Sequence, residues 1–230
     1  MGVKENLDDI RERIAKACHR SGRSPDSVAL AAVSKFHSRD EILEALQAGH
    51  VLFAENRAQE IVDKFPDILA HHAGAAVHFI GSLQRNKVKK ILPLVSCIQS
   101  VDRREILAEI GKEAAALQKT MPILFELHTG EDSKAGFAGE QSLFEAIDLL
   151  SEYPYLRCSG LMTMAPFTRE EKPIRDSFRK AIAVRDECVK RYPSLDFSCI
   201  SMGMTNDFEI AIEEGSTLLR IGTAIFGERA

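Results

Sequence analysis

Lys35 ends an apolar, β-rich run, VALAAVS at 28–34. An amine held at the end of a buried strand is partly desolvated, which disfavours its charged form. The neutral amine can attack an aldehyde and form a Schiff base. Taken alone, such a residue is more simply a solvated lysine at a strand end. A second feature lies far along the chain, where Ser201 follows one apolar run and Gly222-Thr223 follow the next. Glycine lets backbone approach an anion, hydroxyls donate hydrogen bonds, and TAIF at 223–226 could supply a short helical turn whose N–H groups favour negative charge. By itself this is also ordinary loop chemistry. A Schiff-base lysine facing a phosphate cup is more specific than either part. Arg220, two residues before Gly222, should point into the same mouth. It could bond to a ring nitrogen or pair with a carboxylate.

The elements that must position these groups are legible as alternation. Eight apolar runs occur, at 28–34, 51–54, 77–80, 97–101, 122–127, 157–161, 196–200 and 217–221. Short apolar runs buried on both faces suit a parallel sheet. Helix signals fill the gaps. Ser38 with Glu41 reads as a capping box, with Gly49 as the stop. Asp102 with Glu105, and Asn206 with Glu209, repeat the start signal, and 174–190 reads as a long amphipathic helix. Eight such strand–helix pairs predict an α/β fold, a single (β/α)8 TIM barrel, with a doubly wound open sheet as the alternative. One domain is expected over 1–230, with a helix at about 3–20 packed on the barrel flank. Active sites of such barrels lie at the C-terminal ends of the strands.

Composition narrows the partners. The 230 residues carry 30 Lys plus Arg against 34 Asp plus Glu, a formal charge of −4. That balance argues against a nucleic-acid or anionic-membrane partner. The one dense basic patch, 85–90, reads as a solvated helix face. No stretch approaches a membrane span or a signal sequence, and five scattered cysteines without a CxxC pair read as reduced thiols of a cytoplasmic protein. No apolar face argues against a monomer.

Other candidates carry less. His71 and His72 are adjacent, so they diverge on any regular element and do not share a metal. His78 falls in a strand and reads as a core histidine, and His128 ends another. Glu55 and Asp102 could do acid–base work but more simply cap helices or pair with local bases.

Several segments also carry a family pattern: AVSK (32–35), FAENRAQE (53–60), HFIGSLQRNK (78–87), SKAG (133–136), GLMTM (160–164) and SMGMTNDFEIAIEEGSTLLRIGTAIFG (201–227). In these the chain resembles the YggS-type pyridoxal phosphate (PLP) homeostasis proteins over nearly its whole length. The resemblance implies a barrel like the N-terminal domain of alanine racemase. It implies PLP held as a Schiff base on Lys35, and its phosphate held by Ser201, Gly222 and Thr223. Arg220 would face the ring nitrogen, and Asn56, Ile80 and Met202 would line the cofactor. Phe36-His37-Ser38 and Thr205 depart mildly from the pattern. The implied role is vitamin B6 homeostasis, with delivery of PLP to apo PLP-dependent enzymes. A PLP-dependent amino-acid racemase is the enzyme alternative. It would need a second acid–base group, such as a tyrosine from another domain, whereas only a short tail follows Thr223 and all three tyrosines precede strands. A Schiff-base aldolase would share the lysine and phosphate cup without PLP.

Overall fold

The computed structural model describes residues 2–130 and 136–228. Eight parallel strands pair in sequence order: β1 (Ala29–Val33), β2 (Leu52–Glu55), β3 (Ala76–Phe79), β4 (Cys97–Val101), β5 (Met121–Leu127), β6 (Leu156–Thr163), β7 (Cys199–Ser201) and β8 (Leu218–Ile221). β8 pairs with β1, Ala31 opposite Arg220, and this closes the barrel. The open-sheet alternative is thereby excluded, and each of the eight apolar runs overlaps a strand. The helices are α1 (Val3–Arg20), α2 (Arg39–Gln47), α3 (Ala58–His71), α4 (Arg85–Ile91), α5 (Arg104–Leu117), α6 (Glu140–Asp148), α7 (Glu171–Arg191), α8 (Phe208–Glu213) and α9 (Thr223–Phe226).

Successive strand residues point to opposite faces, so each strand serves two layers. Ala32, Phe53, Val77, Ile98, Phe125, Leu161 and Leu219 join the large core between sheet and helices. Their neighbours Ala31, Val33, Ala54 and Leu218 pack inside the barrel, as do Cys97, Leu124 and Met162. Small residues on the inner faces of β1 and β2 leave space above them at the C-terminal end. Gly160 permits a close approach of β6 to β7. Its φ is +144°, and a Cβ there would stand 1.8 Å from the Cys199 carbonyl oxygen, so only glycine fits.

The expected helix at about 3–20 is α1. Its buried residues Val3, Leu7, Ile10, Ile14, Ala17 and Cys18 recur every three or four positions, which makes one apolar face. Asn6 Nδ2 donates to the Ile225 carbonyl at 2.8 Å and ties α1 to α9. Arg13 and Arg20 of α1 pair with Glu209 of α8, while Arg175 and Arg179 of α7 pair with Glu214. These partly exposed pairs are individually weak, but together they hold α8 from two sides.

Helix starts follow the sequence signals unevenly. Ser38 accepts from the Glu41 N–H at 3.3 Å while the Glu41 carboxylate accepts from the Ser38 N–H at 2.6 Å, a complete capping box. α5 instead starts from Arg103 without a side-chain cap, because Asp102 is drawn into a 2.6 Å ion pair with Arg103. α8 starts from Asp207 rather than Asn206. α7 begins three residues earlier than expected, with Pro173 inside its first turn. Proline is tolerated there because first-turn N–H groups have no partner within the helix. No described helix is long and apolar enough to cross a membrane.

Candidate functional site

The C-terminal ends of the strands surround one cavity of about 520 Å³, bordered by Lys35, His37, Asn56, Ile80, Glu126, Met164, Thr205, Arg220, Gly222 and Thr223 among others. That volume lies in the range of small-molecule and cofactor sites, about 300–1,000 Å³. Strand alternation explains who is there. Lys35 continues the inward series Ala31, Val33 of β1, Asn56 follows Ala54 of β2, and Arg220 follows Leu218 of β8. Gly81, next to Ile80, lies so close to β2 that a Cβ would fall 2.0 Å from the Asn56 carbonyl oxygen. Gly222 packs less tightly against β1, with Val33 O at 3.0 Å from a Cβ position.

Two expected residues stand off this wall. Ser201 is fully buried beneath the cavity floor. Its hydroxyl donates to Gln99 Oε1 at 2.6 Å and accepts from Arg220 Nη1 at 2.6 Å. Met202 is fully buried in the sheet–helix core. The cause is parity: Ser201 faces inward, so Met202 must face outward. In their place the structure brings Thr205 to the wall, a hydroxyl two residues after Gly203. That segment is bent back by Gly203 at φ +100° and closed by the Asp207 carboxylate, which accepts from the Met204 N–H at 2.5 Å.

Below the cavity runs a chain of polar groups. Gln99 Nε2 donates to His78 Nδ1 at 2.7 Å, Gln99 Oε1 accepts from Ser201, Ser201 accepts from Arg220, and Arg220 Nη2 donates to the Thr163 carbonyl at 2.8 Å. Burial lowers the His78 pKa to about 4, so the imidazole is neutral and can accept. Arg220 is 3% exposed. Burial lowers its pKa, while the carboxylates of Glu126 and Asp207 oppose the change. Two of its five N–H groups fix the guanidinium plane, and the group still borders the cavity.

Glu126 is a second feature, beside the wall position of Thr205, that sequence reading missed. It sits on the inner face of β5 at the cavity wall. Burial, helped by the charge of Asp102 and opposed by Arg220, pushes its pKa up to about 7. Its signal was a charged residue within the run PILFEL. The thiols facing the barrel interior offer no nucleophile, since burial pushes Cys97 up and raises Cys199 to about 11. No cluster of metal-ligating side chains occurs among the described residues. The SKAG segment falls mostly outside the described residues.

A closed parallel barrel with a strand-end lysine and a buried arginine at one mouth defines a class. The family model for the alanine racemase N-terminal domain matches residues 6–230. Curated relatives named pyridoxal phosphate homeostasis protein match throughout. That of Aquifex aeolicus (strain VF5) is 37% identical, covering 100% of this chain and 99% of its own. That of Escherichia coli (strain K12) is 36% identical, covering 99% and 97%. The chain therefore belongs to the pyridoxal phosphate homeostasis protein family. Among solved structures, PipY of Synechococcus elongatus PCC7942 with PLP bound superposes with TM-score 0.86 at 29% identity over 98% of this chain and 100% of that one. An alanine racemase of Clostridium difficile 630 shares the fold, TM-score 0.77 at 11% identity, and this chain spans 56% of its length.

Glu126 gives the ligand-free protein a distinctive pH dependence. The native state keeps a proton on Glu126 to about pH 7, whereas the unfolded chain releases it near the ordinary value of 4.5. The native state then binds more protons across that window, so this group makes stability fall as pH rises from about 4.5 to 7. Glu126→Gln stays neutral and should gain on the parent across the same window, by up to about 3 kcal/mol. Urea denaturation at a series of pH values measures this, and an offset that does not change with pH would refute the assignment.

Proposed function

We propose that this protein binds pyridoxal 5′-phosphate as a Schiff base on Lys35 and serves intracellular PLP homeostasis by supplying the cofactor to apo-enzymes. The observation that carries the reading is the convergence of an amine, a buried guanidinium and a hydroxyl-bearing rim on one cavity. The donor set fits the cofactor. Lys35 would hold the cofactor at its aldehyde group, where a neutral amine can condense with loss of water. When bound, the cofactor supplies an electron-withdrawing ring conjugated to that group. The names of the relatives and the PLP-bound PipY structure support the same reading.

Each residue then has a task. Gly222 admits backbone close to the phosphate, and Thr223 and Thr205 donate hydroxyls to it. Ser201 acts from below, by orienting Arg220 toward the ring nitrogen. Asn56 and Ile80 flank the ring, and Met202 supports the wall from outside the barrel. An arginine remains protonated and gives up its proton poorly, so Arg220 would leave the ring nitrogen unprotonated and the bound ring a weak electron sink. That arrangement suits holding and releasing the cofactor better than carbanion chemistry.

Phosphate recognition should separate from ring recognition. Thr205→Ala with Thr223→Ala should weaken PLP far more than unphosphorylated pyridoxal, each lost charge-assisted hydrogen bond costing about 1.5–3 kcal/mol. Equal weakening of both ligands would put the phosphate elsewhere.

Supply is tested by mixing the PLP-loaded protein with an apo-enzyme and a trap for free PLP. Activation that outpaces the trap is expected, together with negligible α-proton exchange of amino acids into deuterated water. Robust exchange that disappears in Lys35→Ala would replace the carrier reading with an amino-acid racemase.

A further inference from the structure

The residues that flank Lys35 are held by a partly buried ionic cluster on the outer side of the barrel, with Glu55 fully buried and Glu60 and Lys64 at its edge. The Ser34 carbonyl accepts from the His37 N–H at 3.1 Å, so residues 34–37 form a tight turn with Lys35 and Phe36 at its centre. Phe36 has φ +67°. This is the left-handed region, which turns normally reserve for glycine or asparagine and which a bulky side chain occupies only under constraint. The constraint is visible. Glu60 Oε2 accepts from the Phe36 N–H at 2.7 Å. Lys64 Nζ donates to the Ser34 carbonyl at 3.0 Å, to Glu55 Oε1 at 3.1 Å and to Glu60 Oε2 at 2.6 Å. The Ser34 hydroxyl donates to Glu55 Oε1 at 2.7 Å, and the Arg57 guanidinium lies 4.4 Å from the Phe36 ring centroid.

Alternation makes this possible. Ser34 and Glu55 precede Lys35 and Asn56, so they face outward where those face the cavity, and they meet under α3. Glu60 and Lys64 sit one turn apart on α3, in the favourable Glu-to-Lys order. Lys64 satisfies three acceptors with its three N–H groups. Such a cluster is costly to desolvate and gains little stability over apolar packing. Its contacts converge on the backbone immediately before and after Lys35.

We propose that Glu55, Glu60 and Lys64 are positioning residues that hold the Ser34–His37 turn in its constrained form and so aim the Lys35 amine into the cavity. This rests on Lys35 being the PLP-binding lysine. The cluster touches backbone on both sides of Lys35 and acts on the cofactor only through that turn.

The test uses the full-length protein with two readouts. Hydrogen exchange of the Phe36 amide is followed without ligand, and the rate of Schiff-base formation is followed by visible absorbance with added PLP. In Glu60→Ala the Phe36 amide should lose protection and Schiff-base formation should slow by about ten-fold or more, the scale of a misplaced reacting group. Glu60→Gln keeps an acceptor and should restore much of both. Adding Phe36→Gly to Glu60→Ala should restore the rate without restoring amide protection, because glycine adopts positive φ unaided. Lys64→Met should behave like Glu60→Ala; should it fail to fold, the Glu60 variants carry the test. A folded Glu60→Ala protein that forms the Schiff base at the parental rate would overturn the proposal, as would a slowed rate that Phe36→Gly leaves unchanged. Loss of Phe36 protection in a protein whose PLP is attached to another lysine would instead refute the Lys35 assignment and leave the clamp standing.

Discussion

In a closed parallel barrel every strand residue has two destinations, the interior or the helical layer, and its neighbours take the other one. Most of the site depends on this constraint. It sends Lys35, Asn56, Ile80 and Arg220 to one mouth, because each continues an inward series. It sends Ser34 and Glu55 outward, where they meet Lys64 between the sheet and α3. Glycine is needed where backbone must come close enough for this geometry to hold. Gly81 against Asn56 is the place where that closeness shapes the cavity itself, and Gly222 packs near Val33 across the mouth.

Electrostatics then decides what the interior can tolerate. A guanidinium 3% exposed is costly unless its donors are used and a counter-charge is near. Ser201 and the Thr163 carbonyl use two donors, while Glu126 and Asp207 supply opposing charge. Burial pushes the Glu126 carboxyl on the cavity wall up, so the counter-charge it offers Arg220 depends on pH. The outer cluster behind Lys35 is different. Burial pushes the Glu55 pKa up, against Ser34 and Lys64. At Glu60 the same burial effect is outweighed by Lys64, the Phe36 N–H and Arg57, so its carboxyl sits below the usual range.

Strand order, barrel closure and the strand-end lysine were legible because they rest on alternation and on single residues at the ends of apolar runs. The Ser38–Glu41 cap was legible for the same local reason. Asp102 and Asn206 misled because a capping signal describes what a side chain can do. In the fold Asp102 is claimed by Arg103, and the N-cap position expected of Asn206 is held by Asp207, whose carboxylate turns back to the Met204 N–H instead of capping the helix. Thr205 and Glu126 were hidden by packing. The first reaches the cavity through a turn that depends on Gly203, and the second is a charged residue in a run that otherwise reads as apolar strand. The clamp of Glu55, Glu60 and Lys64 comes from β2 and α3, and no local pattern predicts that both converge on the turn after β1.

The central claim is that one lysine, aimed by the barrel, carries the cofactor. Borohydride reduction of the PLP-loaded protein followed by peptide mapping tests it directly. The account predicts a pyridoxyl group on Lys35 and loss of the label in a folded Lys35→Ala variant. A label found on another lysine, such as Lys87 or Lys134, would contradict it.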